Sequence, residues 1–287
     1  MKFCRFGDVG NERVGAVDNE GRIRDLSGKI ERLRSSDFAG GALEALSGVD
    51  VAGLPLVEGE PRLGIPYEGI SKMICIGLNY SDHALEAGMQ PPEKPIVFLK
   101  APSALCGPYE DTIQPVDSTK LDWEVELGVV IGREARYIDE AEAQDFIAGY
   151  CVVNDISERA FQMEGGQWDK GKGCDSFGPV GPWLVTKDEV ADPQALDLWL
   201  DVNGERMQTG NTSTMIFGVD TLVSHCSRYM TLMPGDIIAT GTPPGVGMGK
   251  KPEPVWLRPG DTIELGVTGL GRQRQRVVRY EEAVAGP

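Results

Sequence analysis

The chain has 287 residues, 41% hydrophobic and 25% charged, the balance of a globular protein rather than of a disordered segment or a coiled coil. Twenty-eight lysines and arginines against 44 acidic residues give a net charge of −16, which repels a nucleic-acid backbone or an anionic membrane surface and argues against both as partners. No apolar run approaches the roughly 20 residues of a membrane span, and Met1 to Asp8 carry no apolar stretch of signal-peptide length.

A soft prior of about 150 residues per domain predicts two unequal parts. Six scattered cysteines (Cys4, Cys75, Cys106, Cys151, Cys174 and Cys226) form no C-x-x-C pair and read as reduced thiols of a cytosolic protein. With only His83 and His225 present, a zinc site built on histidines is disfavoured.

In chain order, Lys2 to Phe6, Val14 to Val17 and Arg22 to Leu26 read as short strands, with a turn at Asp18-Asn19-Glu20-Gly21. Gly41 to Leu46 reads as a short helix. The Pro/Gly-rich stretch from Gly53 to Pro66 is a linker signal, so residues 1–66 are expected to form a small N-terminal domain and 67–287 a larger one. Met73 to Ile76 and Ile96 to Leu99 are predicted strands, and Trp123 to Ile131 is the clearest strand. Asp139 to Gly149 reads as a helix with Asp139 and Glu142 at capping-box spacing. Tyr150 to Ile156 reads as an apolar strand, Leu196 to Gln208 as a hairpin turning at Asn203-Gly204, and Val219 to Met230 as an amphipathic helix. Asp236 to Thr240 and Thr262 to Val267 complete the predicted strands. The expected class is α+β and strand-dominated, not doubly wound. No G-x-G-x-x-G, P-loop or G-x-S-x-G motif is present.

Alternation along Trp123 to Ile131 puts Trp123, Val125, Leu127, Val129 and Ile131 on one face and Glu124 with Glu126 on the other. Two such carboxylates converge on a hard cation or lie on a solvated face; Gly128 and Val130 on the same side fit an open face poorly. Asp155 ends the next apolar strand and suits either a third ligand or a helix N-cap before Ser157-Glu158-Arg159. An all-oxygen set calls for Mg2+ or Mn2+, with Ca2+ as a further candidate. His83 and Glu86 stand at i and i+3, so the carboxylate can orient an imidazole that acts as general base, or the two simply pair on a helix surface. Gly88 to Pro92 follow, a stretch suited to a moving lid. Lys172, between two glycines, suits either a ligand carboxylate or enolate or plain solvent. Gly241-Thr242-Pro243-Pro244-Gly245 is an anion nest or an ordinary turn.

Taken together, Gly77-Leu78-Asn79-Tyr80 with His83 and Glu86, Asp122 to Leu127, Asn154 to Arg159 with Gln162, Lys172 with Asp175 to Pro179, and Gly241 to Val246 resemble the fumarylacetoacetate hydrolase family, in family order from about residue 70 to 270. The resemblance implies a mixed β-roll catalytic domain, a homodimer, and Mg2+ or Mn2+ held by Glu124, Glu126 and Asp155. It implies that His83, assisted by Glu86, activates a water that attacks the carbonyl distal to the pyruvate part of a small oxo-acid. By the same resemblance, Lys172 is expected to neutralise the enolate charge released when the C–C bond breaks, and Tyr80, Arg159, Gln162 and Thr242 match substrate-binding positions.

The run Gly166 to Asp175 and the N-terminal unit resemble the bacterial branch acting on 2,4-diketo-3-deoxy acids such as those from rhamnose or fucose, giving pyruvate and a hydroxy acid. Acylpyruvate or fumarylpyruvate hydrolysis, an oxaloacetate-type decarboxylation and a non-catalytic metabolite-binding role are the alternatives. Retention of His83 with Glu86 favours hydrolysis, because decarboxylation needs no attacking water.

Overall fold

The computed structural model describes residues 1–86 and 88–285. The N-terminal strands are β1 (Lys2–Phe6), β2 (Arg13–Val17) and β3 (Ile23–Asp25), followed by the short helices α1 (Ser35–Phe38) and α2 (Ala42–Leu46). Next come β4 (Met73–Gly77), α3 (Ser81–Glu86), β5 (Ile96–Lys100), β6 (Leu105–Cys106), β7 (Thr112–Gln114) and β8 (Leu121–Asp122). Strands β9 (Val125–Ile131), β10 (Ile147–Asn154) and β11 (Ser157–Glu158) lead into α4 (Arg159–Gln162) and α5 (Asp169–Lys172). The rest is β12 (Gly178–Thr186), β13 (Asp197–Val202), β14 (Glu205–Asn211), α6 (Val219–Ser227), β15 (Ile237–Ala239), β16 (Thr262–Val267), β17 (Gly271–Arg279) and α7 (Tyr280–Val284). None of these helices is long and apolar enough to cross a membrane.

A mixed ten-stranded sheet runs β3-β2-β1-β12-β10-β9-β15-β4-β5, with β6 attached to β12, and a five-stranded sheet runs β14-β13-β16-β17-β7. This is the strand-dominated α+β architecture expected. Strand β1 pairs antiparallel with β12 (Lys2↔Val185, Phe3↔Leu184), so the first three strands extend the sheet that carries β9 and β10.

Both faces of β9 are buried, which explains why its second face is not polar. Trp123, Val125, Leu127, Val129 and Ile131 join Leu198, Leu200, Ile263 and Leu265 of the small sheet and Leu222 and Val223 of α6 in one core. Val130, Cys151 and Val153 point the other way and pack with Phe3, Leu26, Phe38, Leu46 and Tyr67 of the N-terminal segment in a second core. At about 25 cal/mol per Å2 of apolar surface removed from water, cores on both faces hold β9 and β10 rigidly between them.

Two helix ends differ from expectation. The segment predicted helical to Gly149 is a 3-10 helix over Glu140–Phe146 that keeps the Asp139/Glu142 capping box. It stops there because Ile147 starts pairing with Ile131 of β9. Helix α6 ends at Ser227 rather than Met230. The Asn203-Gly204 turn is present, with φ of 53° and 80°, the left-handed pair of a type I′ hairpin.

Two nine-residue strands lie outside the predicted elements. Strand β12 contains Pro179 and Pro182, which normally argue against an interior strand; Pro182 falls in a register shift between the pairs Tyr150↔Val185 and Val152↔Gly181. Strand β17 alternates arginine with glutamine before Val277, and its inward residues include Gln273 and Gln275, whose amides bond the carbonyls of Val152, Pro179, Gly181 and Pro108.

Candidate metal centre and active site

The β9–β10 ladder runs to Asn154↔Val125 and is then interrupted before Ser157↔Asp122 resumes it as β8–β11. Glu124 and Asp155 face each other across the gap, with Asp155 N–H donating to Glu124 C=O at 2.9 Å. Trp123 and Glu124 therefore lie outside the strand predicted to contain them. The gap lets side chains leave the pleat: Glu124, Glu126 and Asp155 are all buried, and one carboxylate oxygen of each lies within 4.8 Å of the others. Asp155 does not cap a helix; Glu158 does, accepting from Ala160 N–H at 2.9 Å.

The three carboxylates are not equivalently neutralised. Lys172 Nζ bridges Glu124 Oε2 at 2.7 Å and Asp155 Oδ2 at 2.9 Å, and Arg159 Nη2 donates to Glu124 Oε1 at 2.6 Å. Burial alone would raise the Glu124 carboxyl, but the Arg159 and Lys172 charges hold it well below the usual carboxylate range. Glu126 receives one hydrogen bond among the described residues, from Gly241 N–H at 2.8 Å. Burial, then the Asp155 and Glu124 charges, push its carboxyl far above the ordinary value. Burial pulls the Lys172 ammonium down and the Asp155 and Glu124 charges more than restore it. A buried carboxylate with no cation of its own, set against two others in an all-oxygen donor set, fits a hard divalent ion.

Around this cluster, Arg159 is clamped by Asp122 (Nε–Oδ2 2.8 Å) and donates to Gln162 Oε1 at 3.0 Å, which leaves the Gln162 amide N–H2 for a ligand. Tyr80 Oη is fully buried near the Thr240 hydroxyl and makes no aligned hydrogen bond among the described residues. The Thr242 hydroxyl donates to Val125 C=O at 2.9 Å and accepts from Gln208 Nε2 at 2.8 Å, which fixes where it stands. On α3, His83 Nδ1 lies 3.1 Å from Glu86 Oε2, and Glu86 accepts Gly245 N–H at 3.0 and 3.1 Å. Glu86 thus joins α3 to the 241–247 loop; Ala87, which precedes the Gly88 to Pro92 stretch read as a lid, lies outside the described residues.

Burial raises the Glu86 carboxyl, but the His83 hydrogen bond and the Gly245 N–H outweigh it and hold the group below its ordinary 4.5. Its contribution to stability is complete above the unfolded value and is lost as pH falls through the lower folded value. The stability gap between wild type and Glu86→Gln, read from urea midpoints, is therefore expected to be widest near neutrality and to close below about pH 4.5.

The α4–α5 contact sets where Lys172 stands. A Cβ on Gly171 would lie 2.5 Å from both Gln162 N and Glu158 O, backbone atoms that cannot step aside. Gly171→Ala must push α5 away from α4 and carry Lys172 with it. The expected result is a loss of about a hundredfold in kcat/KM with the fold retained, as for an ångström-scale misplacement.

Three residues at the centre had no role assigned from sequence. Asp122 orients Arg159, Gln208 holds Thr242 in place, and Lys100, 1% exposed, lies 2.6 Å from Asp155 Oδ1. A lysine closing an apolar strand before Ala101-Pro102 was the only signal for the last of these.

A fumarylacetoacetate hydrolase C-terminal family model matches residues 72–278. The 2,4-didehydro-3-deoxy-L-rhamnonate hydrolase of Sphingomonas sp. strain SKA58 is 58% identical over 281 residues, covering 98% of this chain and 97% of that protein. A fumarylacetoacetate hydrolase from Exiguobacterium antarcticum superposes with a TM-score of 0.88 at 36% identity, covering 97% of this chain and 99% of that one. The maleylpyruvate hydrolase of Sphingobium sp. SYK-6, solved with manganese(II) and pyruvate, gives 0.77 at 31% identity over 97% and 99% of the two chains.

Proposed function

The chain belongs to the fumarylacetoacetate hydrolase family, and on that premise we propose that it is a divalent-metal-dependent hydrolase that cleaves a 2,4-diketo-3-deoxy acid, of rhamnonate or fuconate type, to pyruvate and lactate. The observation that carries this reading is the buried Glu124–Glu126–Asp155 cluster with Lys172 against it. Identity of 58% to a rhamnonate-derived diketo-acid hydrolase supports the substrate class. Mg2+ or Mn2+ is the proposed ion. A homodimer is taken over from the family, and a cytosolic location is supported by the six unpaired cysteines.

A bound divalent cation supplies Lewis acidity and positive charge at the keto oxygens of the substrate. Glu86, held ionised, takes the Nδ1 proton of His83 in a hydrogen bond and leaves Nε2 to accept a proton from water. That water adds to the C4 carbonyl and the C3–C4 bond breaks. The electron pair passes to C3 as the pyruvate enolate, which takes up a proton, while the C4 half leaves as lactate. Lys172, kept charged by its two carboxylates, neutralises the developing enolate. Arg159 and the free Gln162 amide hold substrate oxygens, and the unpartnered Tyr80 hydroxyl is a further donor. Asp122 keeps Arg159 aimed at the site.

The test is product analysis with Mg2+ or Mn2+ on a panel of 2,4-diketo acids. Equal pyruvate and lactate from the rhamnonate-type acid, with acylpyruvates and oxaloacetate slower, is the expected result. Pyruvate with CO2 and no second acid makes the protein a decarboxylase. A panel that yields no pyruvate rules the reading out.

A further inference from the structure

Lys100 ends β5, the edge strand of the large sheet, yet its side chain is fully buried and turned inward. Its ammonium donates to Ile156 C=O at 2.9 Å and Lys172 C=O at 2.6 Å, and lies 2.6 Å from Asp155 Oδ1 without hydrogen-bond alignment. Two backbone carbonyls that cannot rotate away accept from the ammonium, and the Asp155 carboxylate pairs with it by charge. The ammonium is thereby fixed, and it fixes Asp155 in turn: Oδ1 faces Lys100, while Oδ2 faces Glu124 through their shared contact with Lys172 Nζ. A buried cation of this kind is costly unless paired, and nothing in the reaction above uses it directly.

We propose that Lys100 is a positioning residue that restricts Asp155 to one ligating oxygen and so sets which divalent cation the centre accepts. The inference rests on the reading of Glu124, Glu126 and Asp155 as a metal centre. Small octahedral cations such as Mg2+ and Mn2+ are served by single carboxylate oxygens and water. Ca2+ takes six to eight oxygens at longer range and gains most from a carboxylate that offers both. With Oδ1 occupied by Lys100, Asp155 cannot offer both. Lys100 also holds the carbonyl of Lys172, so one side chain aligns a ligand and the lysine beside it.

The experiment is calorimetric titration of the metal-free full-length protein and of Lys100→Met with Mg2+, Mn2+ and Ca2+. Loss of a positive charge alone raises all three affinities together, and loss of packing alone lowers all three together. Freeing Asp155 Oδ1 instead raises the ratio of Ca2+ to Mg2+ affinity, by at least tenfold on this proposal. An unchanged ratio overturns it while leaving the metal centre standing. Wild-type protein that binds none of the three ions overturns the centre itself, and the role of Lys100 with it. Because Lys100→Met risks misfolding, the second measurement is a crystal structure of the wild type loaded with Mn2+. Ligation through Asp155 Oδ2 alone, with Lys100 on Oδ1, supports the assignment; two-oxygen ligation by Asp155 overturns it.

Discussion

Replacing His83 with alanine is expected to lower kcat by about 10²- to 10⁴-fold, the usual share of a general base, while divalent-cation affinity stays within about twofold of wild type. His83 Nδ1 is committed to Glu86, and Glu86 is committed to the Gly245 N–H, so the imidazole is held from one side with its other nitrogen left to act. None of the three residues is a carboxylate of the Glu124–Glu126–Asp155 cluster, which is why turnover and cation binding separate. Glu86→Gln keeps a hydrogen-bond acceptor for Nδ1–H but removes the charge that stabilises an imidazolium. Its loss in kcat is expected to be smaller than that of His83→Ala, with a shifted pH profile. Steady-state rates together with calorimetric titration decide the matter: a His83→Ala enzyme with near-wild-type turnover removes His83 from the reaction, and one that also loses the cation makes its role structural.

Legibility in the sequence followed how directly each residue's neighbours are set by chain spacing. The period-two pattern over Trp123 to Ile131 put Glu124 and Glu126 on one side, and although Glu124 lies just before β9 the structure buries both beside Asp155, because pairing between β9 and β10 is local along the chain. The i, i+3 spacing of His83 and Glu86 is a one-turn relation, and the pair is in contact. What escaped depends on distant pairing. Strand β17 hides its inward side behind Gln273 and Gln275, which are buried because β12 and Pro108 offer carbonyls, and no local rule marks a glutamine as interior. Lys100 is similar: its acceptors come from Asp155, Ile156 and Lys172, more than fifty residues on, and only the folded sheet places β5 beside them. Thr242 carried a motif signal, but the partners that orient its hydroxyl, Val125 C=O and Gln208 Nε2, come from distant strands that no local spacing shows.

The cluster carboxylates are expected to differ in what their removal does to the metal-free protein, and this separates ligand loss from structural damage. Glu124→Gln leaves Arg159 and Lys172 buried without their shared partner, and breaking a buried pair in this way costs about 3–5 kcal/mol. Asp155→Asn strips Lys100 and Lys172 in the same manner. Glu126 has no cationic partner among the described residues, only the Gly241 N–H, and it suffers repulsion from the other two carboxylates. Glu126→Gln keeps the shape and an acceptor for that N–H while removing the repulsion, so the metal-free variant is expected to be at least as stable as wild type. Divalent-cation affinity should nonetheless fall by more than about a hundredfold, beyond the 10- to 100-fold typical of losing an outer-shell partner. Thermal unfolding with and without Mg2+ or Mn2+ reads both quantities. At a hundred times its dissociation constant a bound ion stabilises the wild type by about 2.7 kcal/mol, and that increment should vanish in Glu126→Gln. A variant that keeps the full increment places the ion elsewhere. One that loses stability in the metal-free state shows that Glu126 is part of the scaffold, because a carboxylate repelled by its neighbours can be worth keeping only for the cation it helps to hold.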